Sequence, residues 1–221
     1  MFELKVVDHP YVQVVLTQLR DRRTGQIEFR KGLVRLGRAL GLEMVKDFEV
    51  EEVLVETPLG VRAKGVRFKN FDKVVIVTVL RAGMPLTEGL IKVFYNAKQG
   101  VVSARRLEEK GMKDGWFDVE ISYARIPRID GETTVIVSDP MIATASTTRA
   151  VLRKALEFGR PRRFMAAGAI ATPLAVERIR RISEELGIDV KMYVASVDPL
   201  LDDRGYIVPG LGDAGDRAFG E

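Results

Sequence analysis

The sequence around residue 140 has the residue types and the order that would bind a phosphate ester. A β-branched run over residues 135–137 leads to Asp139, and small and hydroxyl residues then precede a helix-forming stretch. Small side chains let backbone N–H groups approach an anion, and the positive end of the helix adds to the attraction. Asp139 could accept hydrogen bonds from ribose hydroxyls. The segment therefore predicts a sugar-phosphate site, although a turn followed by a helix cap would use the same residues.

This segment differs from two other kinds of phosphate loop. A Walker A loop ends in Gly-Lys-Ser/Thr, and a dinucleotide-binding loop needs three glycines at fixed spacing. Neither pattern is present between residues 135 and 147. The sequence therefore indicates a phosphate monoester rather than a nucleoside triphosphate or a dinucleotide.

The chain ends in a glycine-rich segment that could lie against a flat ligand. Residues 205–220 contain five glycines, which allow the backbone to approach a planar molecule closely. Exposed backbone N–H and C=O groups can then match the edge of that molecule without any side chain. Asp213 and Asp216 could hold a water or Mg²⁺, or could orient a ribose and a base. A flexible terminal tail is the alternative interpretation.

An arginine at the end of a buried strand could bind a diphosphate. The apolar run over residues 74–80 is followed directly by Arg81, with Ala82 and Gly83 after it. A guanidinium group can neutralise phosphate oxygens through paired hydrogen bonds. An arginine on a surface loop would give the same pattern.

The composition excludes several other kinds of site. The 221 residues include no cysteine, which rules out disulfides, zinc–thiolate centres and thiol nucleophiles. Aromatic residues do not interleave with the basic clusters of this chain of net charge +4, so we expect no nucleic-acid track. No apolar run approaches the roughly 18–20 residues of a membrane span, and the first ten residues lack the apolar stretch of a signal peptide. We therefore expect a cytoplasmic protein without a membrane partner.

Hydrophobic periodicity indicates the elements that must position these segments. Helices are predicted over residues 10–21, 24–41, 85–95, 146–158 and 172–187. Strands are predicted over residues 50–56, 61–68, 74–80, 100–105, 135–137, 164–171 and 190–197, with a protruding hairpin over residues 116–127.

The alternation of strands and helices predicts an α/β fold with a mainly parallel sheet covered by helices on both faces. Ligands bind such sheets beyond the carboxyl ends of the strands. We therefore expect the site among four loops, at residues 81–84, 105–109, 139–146 and 198–216. We interpret residues 1–221 as a single domain, with amino-terminal helices at about 10–41, a core at about 70–197 and a tail at 198–221.

Two of these segments resemble a known family. Residues 139–147 are similar to the ribose-5-phosphate loop of type I phosphoribosyltransferases, and the form Asp-Pro-Met-Ile-Ala-Thr resembles that of the uracil phosphoribosyltransferases. Residues 205–217 resemble the uracil-binding end of the same family. The chain departs from the family pattern at Ala145 and Ser146, where glycines are more frequent. The resemblance implies the type I phosphoribosyltransferase fold, with a β-arm hairpin and a carboxyl-terminal hood that binds the base.

The resemblance also implies a role for individual residues. The expected catalytic residues are Arg81, Arg106, Asp139 and Asp213. The residues expected to bind phosphoribosyl pyrophosphate (PRPP) are Arg81, Arg106, Asp139, Pro140, Met141, Ile142, Ala143, Thr144, Ala145, Ser146, Thr147 and Asp213. The residues expected to hold uracil are Ile207, Gly212, Asp213 and Ala214. The family has one PRPP-binding arginine in the sequence 103–106, and Arg105 is the alternative to Arg106.

The implied reaction is uracil plus PRPP giving UMP plus pyrophosphate, a step of pyrimidine salvage. Mg²⁺ is expected to arrive with PRPP rather than to be held by the protein alone, with Asp213 as a further contact. Activation by GTP in the family suggests an effector site at Lys31, Gly32, Leu33, Val34 and Arg35. A homo-oligomer, either dimer or tetramer, is expected. The alternatives are a non-catalytic regulator that senses PRPP or UMP on the same fold, and a related enzyme for another base.

Overall fold

A computed structural model describes residues 1–113 and 115–220 of the chain. Its α-helices are α1 (Pro10–Arg20), α2 (Gln26–Met44), α3 (Gly83–Ile91), α4 (Ser146–Leu156), α5 (Pro173–Leu186) and α6 (Ala214–Phe219). Its strands are β1 (Phe2–Val6), β2 (Val50–Glu56), β3 (Arg62–Phe68), β4 (Val74–Leu80), β5 (Lys98–Arg106), β6 (Met112–Lys113), β7 (Trp116–Phe117), β8 (Val119–Arg125), β9 (Thr134–Ser138), β10 (Met141–Ile142), β11 (Arg163–Ala171), β12 (Val190–Val197), β13 (Leu200–Leu201) and β14 (Ile207–Val208). Short 3₁₀ helices lie at Val45–Asp47 and Glu108–Lys110.

The central sheet is mainly parallel, as the alternation of strands and helices predicts. Its strand order is β1-β12-β11-β9-β4-β5-β8. Along this order the described neighbours pair in parallel, apart from β8, which is antiparallel to β5 at one edge. The continuous β-branched runs of β4 and β9 are buried, because helices cover both faces of a parallel sheet.

Two apolar cores hold the helices against this sheet. On one face α1, α2 and α3 pack around fully buried residues such as Phe29 and Leu36. On the other face α4 and α5 pack around Val151 and Ile179. Burial of each such side chain stabilises the fold by about 1.5–3 kcal/mol. The predicted α/β class with helices on both faces is confirmed.

Helix α2 is longer than the sequence predicts. A glycine at position 41 suggested the end of the helix, but α2 continues to Met44. Gly41 is buried, and a Cβ there would lie 3.1 Å from the side chain of Val93. This glycine therefore allows another segment to approach the last turn of the helix closely and does not end it.

The protruding hairpin predicted at residues 116–127 and their approach begins earlier in the chain than residue 116. Strand β8 pairs with β5, from Val101↔Arg125 to Arg106↔Val119, and β6 pairs with β7 in a separate two-stranded ladder. The periodicity of β8 was visible in the sequence, but its partner lies about 20 residues earlier in the chain. The other predicted pair, β2 with β3, forms a separate two-stranded hairpin as expected.

Strand β1 and helix α6 are among the elements that were not predicted. Strand β1 adds to the edge of the sheet beside β12, with Leu4 opposite Met192. Its five residues alternate apolar and charged side chains over too short a length to give a distinct signal. Helix α6 has six residues and is capped by Asp213, whose side chain accepts a hydrogen bond from the Asp216 amide. The tail therefore contains a short capped helix where periodicity indicated irregular structure.

Candidate active site

The carboxyl ends of β4, β5 and β9 and the tail, residues 198–220, surround a cleft of about 490 Å³. Apart from Pro140, the residues predicted to bind PRPP or uracil all line this cleft. They are Arg81, Arg106, Asp139, Met141, Ile142, Ala143, Thr144, Ala145, Ser146, Thr147, Ile207, Gly212, Asp213 and Ala214. Pro140 is buried behind them, and its carbonyl accepts hydrogen bonds from the amides of Ala169 and Ile170. The four loops chosen from the topology thus meet in space.

The phosphate loop, residues 143–148, is held by its own hydroxyl groups. The hydroxyl of Thr144 lies 3.0 Å from that of Ser146, and both side chains are buried. Ala145 has a left-handed backbone (φ 60°) at the start of α4, which turns the chain into the helix. The first turn of α4 therefore begins at the cleft, where its amides and the positive end of the helix dipole attract an anion.

Three side chains that the sequence did not identify support this loop from outside. Arg178 in α5 donates to the carbonyl of Thr144 at 2.9 Å and to that of Gly115. The ring of Trp116 lies between two guanidinium groups, 4.6 Å from Arg178 and 4.7 Å from Arg149. Because these residues belong to three separate elements, no local pattern could have linked them to the loop.

Asp139 is placed where a charged carboxylate is unfavourable. Burial raises the pKa of its carboxyl to about 6, against the opposing effects of the Met141 amide and the nearby Arg106 charge. The Met141 amide donates to this carboxylate at 3.1 Å. A carboxylate in such a site has few water partners, so hydroxyl groups of a ligand would be strong hydrogen-bond donors to it.

The arginines of the cleft differ in their surroundings. A cis peptide bond joins Leu80 to Arg81. The Arg81 guanidinium lies 5.7 Å from the ring centre of Phe219 and 4.0 Å from the carboxylate of Asp216. Arg106 is half-buried and lies 5.5 Å from the ring centre of Phe117.

Arg105 is the less favourable candidate for a ligand contact. Its side chain is exposed and lies 3.6 Å from both Glu109 and Glu120. It reaches the rim of the cleft, but these carboxylates already neutralise its charge. Because Arg106 is half-buried and acts electrostatically on Asp139, the geometry favours Arg106 as the arginine that faces a bound anion.

The tail presents backbone groups to the cleft. Ile207 is buried in the short pairing of β13 with β14, and a cis peptide bond joins Val208 to Pro209. Gly210 has a left-handed backbone (φ 64°), and a Cβ there would lie 2.0 Å from the carbonyl oxygen of Ile207. Gly212 is also left-handed (φ 70°). Ile207 and Gly212 lie on this curved path and line the cleft, whereas Gly210 is not among the residues that line it.

Further residues line the cleft without having been assigned a role from the sequence. They include Ala104, Thr148, Gly205 and Tyr206. Gly205 and Tyr206 open the tail motif, so the motif itself was the available signal. Ala104 and Thr148 flank predicted residues by one position, and no pattern distinguished them.

The predicted effector segment lies away from the cleft, in α2. Gly32 and Leu33 are buried in the first core. Lys31 and Arg35 are exposed, with Lys31 2.9 Å from Glu28 and Arg35 3.2 Å from the side chain of Gln18. Of this segment, only the two cationic side chains are therefore placed to meet a solute.

In the described part of the chain, no helix combines the length and apolar character needed to cross a bilayer.

Comparison with known proteins agrees with this geometry. The family described as uracil phosphoribosyltransferase matches residues 6–221. A protein of Pyrobaculum arsenaticum named uracil phosphoribosyltransferase is 50% identical over 216 residues, 98% of each chain. A protein of the same name from Pyrococcus furiosus is 51% identical over 214 residues, 97% of this chain and 88% of its own.

A solved structure has the same overall fold. The AQ2163 protein from Aquifex aeolicus superposes with a TM-score of 0.85 and is 35% identical in sequence. The superposition covers 98% of this chain and 97% of the other. The similarity therefore extends over the sheet, its helices and the tail.

Proposed function

The chain belongs to the uracil phosphoribosyltransferase family, and we propose that it transfers the phosphoribosyl group of PRPP to uracil, a step of pyrimidine salvage. The observation that supports this most directly is the meeting of two distant segments in one cleft. The phosphate loop and the tail face each other there, with Arg81, Arg106 and Asp139 between them. Each of the three parts of the reaction, the phosphate, the leaving diphosphate and the base, has a chemically suited partner.

The phosphate loop would anchor the 5-phosphate of PRPP. Amides at the start of α4 and the hydroxyls of Ser146 and Thr147 supply donors, and the helix end supplies partial positive charge. Asp139 would accept hydrogen bonds from the ribose hydroxyls. The sugar is then fixed at both ends before any bond changes, which removes much of the entropic part of the barrier.

Arg81 and Arg106 would stabilise the departing pyrophosphate. As the bond between the anomeric carbon and the diphosphate oxygen breaks, its electron pair leaves with pyrophosphate, and the ribose gains oxocarbenium character. The N1 atom of uracil then forms the new bond and loses its proton. Guanidinium groups already aimed at the leaving oxygens stabilise charge as it develops. The PRPP-binding and catalytic roles of these arginines follow from that chemistry.

Magnesium ion fits this cleft as a companion of the diphosphate. Carboxylate oxygens of Asp139 and Asp213 are available as hard donors, whereas the described residues contain no group of three or more potential ligands that would hold a metal alone. Bound with PRPP, Mg²⁺ would neutralise charge on the leaving group.

The tail would recognise uracil through its main chain. Uracil has an N–H donor between two carbonyl acceptors, and the backbone at Ile207, Gly212 and Ala214 supplies both kinds of partner. One oxygen of Asp213 already accepts the Asp216 amide as the cap of α6. The other would contact the sugar or take up the N1 proton. An Asp213→Asn variant with undiminished turnover would exclude the second role.

Regulation and assembly are further parts of the proposal. Exposed Lys31 and Arg35 support an effector contact for a GTP phosphate on α2. Exposed apolar residues on the β2–β3 hairpin, such as Leu54 and Val66, support association between copies of the chain. We keep the interpretation of a single domain and of a cytoplasmic protein.

The direct test is to mix the protein with Mg²⁺, PRPP and one base at a time, and to separate the products by chromatography. We expect UMP from uracil and no nucleotide from hypoxanthine or orotate. Absence of UMP would contradict the proposal. If PRPP or UMP then still bound in a calorimetric titration, the alternative of a non-catalytic sensor on the same fold would replace it.

A further inference from the structure

The base-binding tail rests on the carboxyl end of α1, a helix that does not itself line the cleft. We propose that Arg20 and Arg217 are positioning residues that hold the tail on this helix end and thereby set the affinity for uracil. This inference rests on the proposed function. Neither guanidinium is among the groups that line the cleft, so their effect would be exerted through the backbone that they hold.

Arg217 joins the tail to α1 through three carbonyl groups. Its guanidinium donates to Leu211 at 2.7 Å within the tail, and to Leu19 at 2.5 Å and Asp21 at 2.7 Å at the end of α1. The last carbonyls of a helix lack partners within the helix and carry partial negative charge. Arg217 therefore supplies to α1 the donors and the positive charge that its carboxyl end needs.

The surroundings of Arg217 keep this cation in one orientation. Its guanidinium lies 4.2 Å from the ring centre of Phe29 in α2. Its side-chain stem runs beneath Gly212, where a Cβ would lie 3.5 Å from Cδ of the arginine. A shift of the guanidinium would therefore be transmitted directly to a residue that is expected to hold uracil.

Arg20 holds the other end of the same stretch. It pairs with both oxygens of Asp198 at 2.7 Å and donates to the carbonyl of Gly210 at 3.0 Å. Asp198 in turn accepts the Gly210 amide at 2.9 Å, and its side chain is 3% exposed. Both backbone polar groups of Gly210 are thus tied to one buried ion pair, directly before the residues that face the base.

The phosphate loop has no part in this arrangement, because it is supported by Arg178 and by its own hydroxyls. Loosening the tail should therefore weaken uracil binding far more than PRPP binding. A small effect on PRPP is expected, since Asp216 of α6 lies 4.0 Å from Arg81. Pre-organised backbone groups lose less entropy on binding, which is the physical source of the affinity.

The test compares two matched arginine-to-lysine variants by steady-state kinetics with each substrate varied. Arg217→Lys keeps a positive charge but cannot bridge three carbonyls. The control is Arg163→Lys. In the wild type, Arg163 lies at the amino end of β11, with its guanidinium 4.6 Å from the ring centre of Phe48, and donates to the Asp47 carbonyl at 3.0 Å. We expect the KM for uracil to rise about tenfold or more in Arg217→Lys, with the KM for PRPP within threefold. Neither constant should change in Arg163→Lys.

An unchanged KM for uracil in Arg217→Lys, or equal rises for both substrates, would overturn the inference. Arg20→Lys provides a second variant if Arg217→Lys does not fold. Amide hydrogen exchange of the wild type and the variants without ligand gives an independent readout, and we expect faster exchange over residues 205–213. Unaltered exchange there would also overturn the inference. If the wild type makes no UMP, the proposed function is contradicted. The role of the two arginines in supporting the tail is then still tested by hydrogen exchange, which needs no activity.

Discussion

The phosphate loop and the base-binding tail are built in different ways. The loop combines a contact between near neighbours, Thr144 with Ser146, with support from Arg178, which lies 34 residues away in the chain. The tail is held by Arg20 and Arg217, whose bonds between the tail and α1 join residues that are 178 to 198 positions apart. A phosphate needs dense donors and positive charge, which a helix end supplies locally. A base needs a particular backbone path, and here that path depends on distant support.

Two aspartates show the same contrast. Burial raises the pKa of Asp139 to about 6, because the Met141 amide and the Arg106 charge do not outweigh its desolvation. Burial acts on Asp198 as well, but hydrogen bonds from Arg20, Ser196 and the Gly210 amide outweigh it and lower the pKa of that carboxyl. Asp139 therefore keeps capacity to accept hydrogen bonds from a ligand, whereas Asp198 is satisfied by three groups of the fold.

The largest expected effect separates these two carboxylates. Asp139→Asn should reduce kcat/KM at least 100-fold, since the neutral amide is a weaker acceptor for ribose hydroxyls, while thermal stability is retained. Asp198→Asn should instead destabilise the fold by about 2–3 kcal/mol, because Arg20 loses its buried partner. Initial rates and calorimetric melting of both variants test this pair. Loss of stability in Asp139→Asn would contradict the contrast.

Next in size is the difference between the two neighbouring arginines of β5. Arg106→Ala should lower kcat/KM for PRPP by about 30- to 100-fold, through loss of charge beside the leaving group. Arg105→Ala should change it less than threefold, because exposed ion pairs contribute little. Kinetics with varied PRPP distinguish the two. A larger loss in Arg105→Ala would assign the diphosphate contact to the other residue.

The pH dependence sharpens the comparison further. As pH falls below about 6, Asp139 becomes protonated, and kcat/KM for PRPP should fall about tenfold per pH unit. Folding raises this pKa from 3.8 to about 6, so protonated Asp139 stabilises the fold. This stabilisation is complete below pH 3.8 and is lost as the pH rises through about 6. Asp139→Asn should therefore melt about 2–4 °C above the wild type at pH 7.5, and this difference should shrink as the pH falls toward 4. An advantage that does not change with pH would rule out ionisation as its cause.

The smallest expected effect concerns the left-handed residue of the phosphate loop. Ala145→Gly should stabilise the protein by about 0.5–1 kcal/mol, because glycine adopts this backbone without a steric penalty. Activity should stay within twofold, since the loop keeps its shape. Chemical denaturation measures the change, with Ala143→Gly as the control. Destabilisation by Ala145→Gly would show that the Cβ of Ala145 contributes more through packing than it costs in strain.

Local sequence was sufficient to predict most strands of the sheet, most of the helices and the phosphate loop. The run Val74–Leu80 gave β4 because seven apolar or β-branched residues fit a strand covered on both faces. Helix α5 begins after Thr172 and ends before Gly187, as the sequence suggested. The threonine hydroxyl accepts a hydrogen bond from the Ala175 amide, and the glycine has a left-handed backbone. These features depend on interactions within a few residues, which periodicity and capping rules describe.

The tertiary structure alone decided the partner of β8, the addition of β1 to the sheet and the support of both halves of the cleft. Arg178 beneath the phosphate loop and Arg217 beneath Gly212 look like ordinary basic residues in the sequence. Each of these arginines acts by donating hydrogen bonds to carbonyl groups of distant segments. The residues that surround an arginine in the sequence do not indicate which carbonyl groups it will meet in the fold. The sequence thus determined which chemical groups reach the carboxyl edge of the sheet, and folding determined which half-buried arginines hold them there.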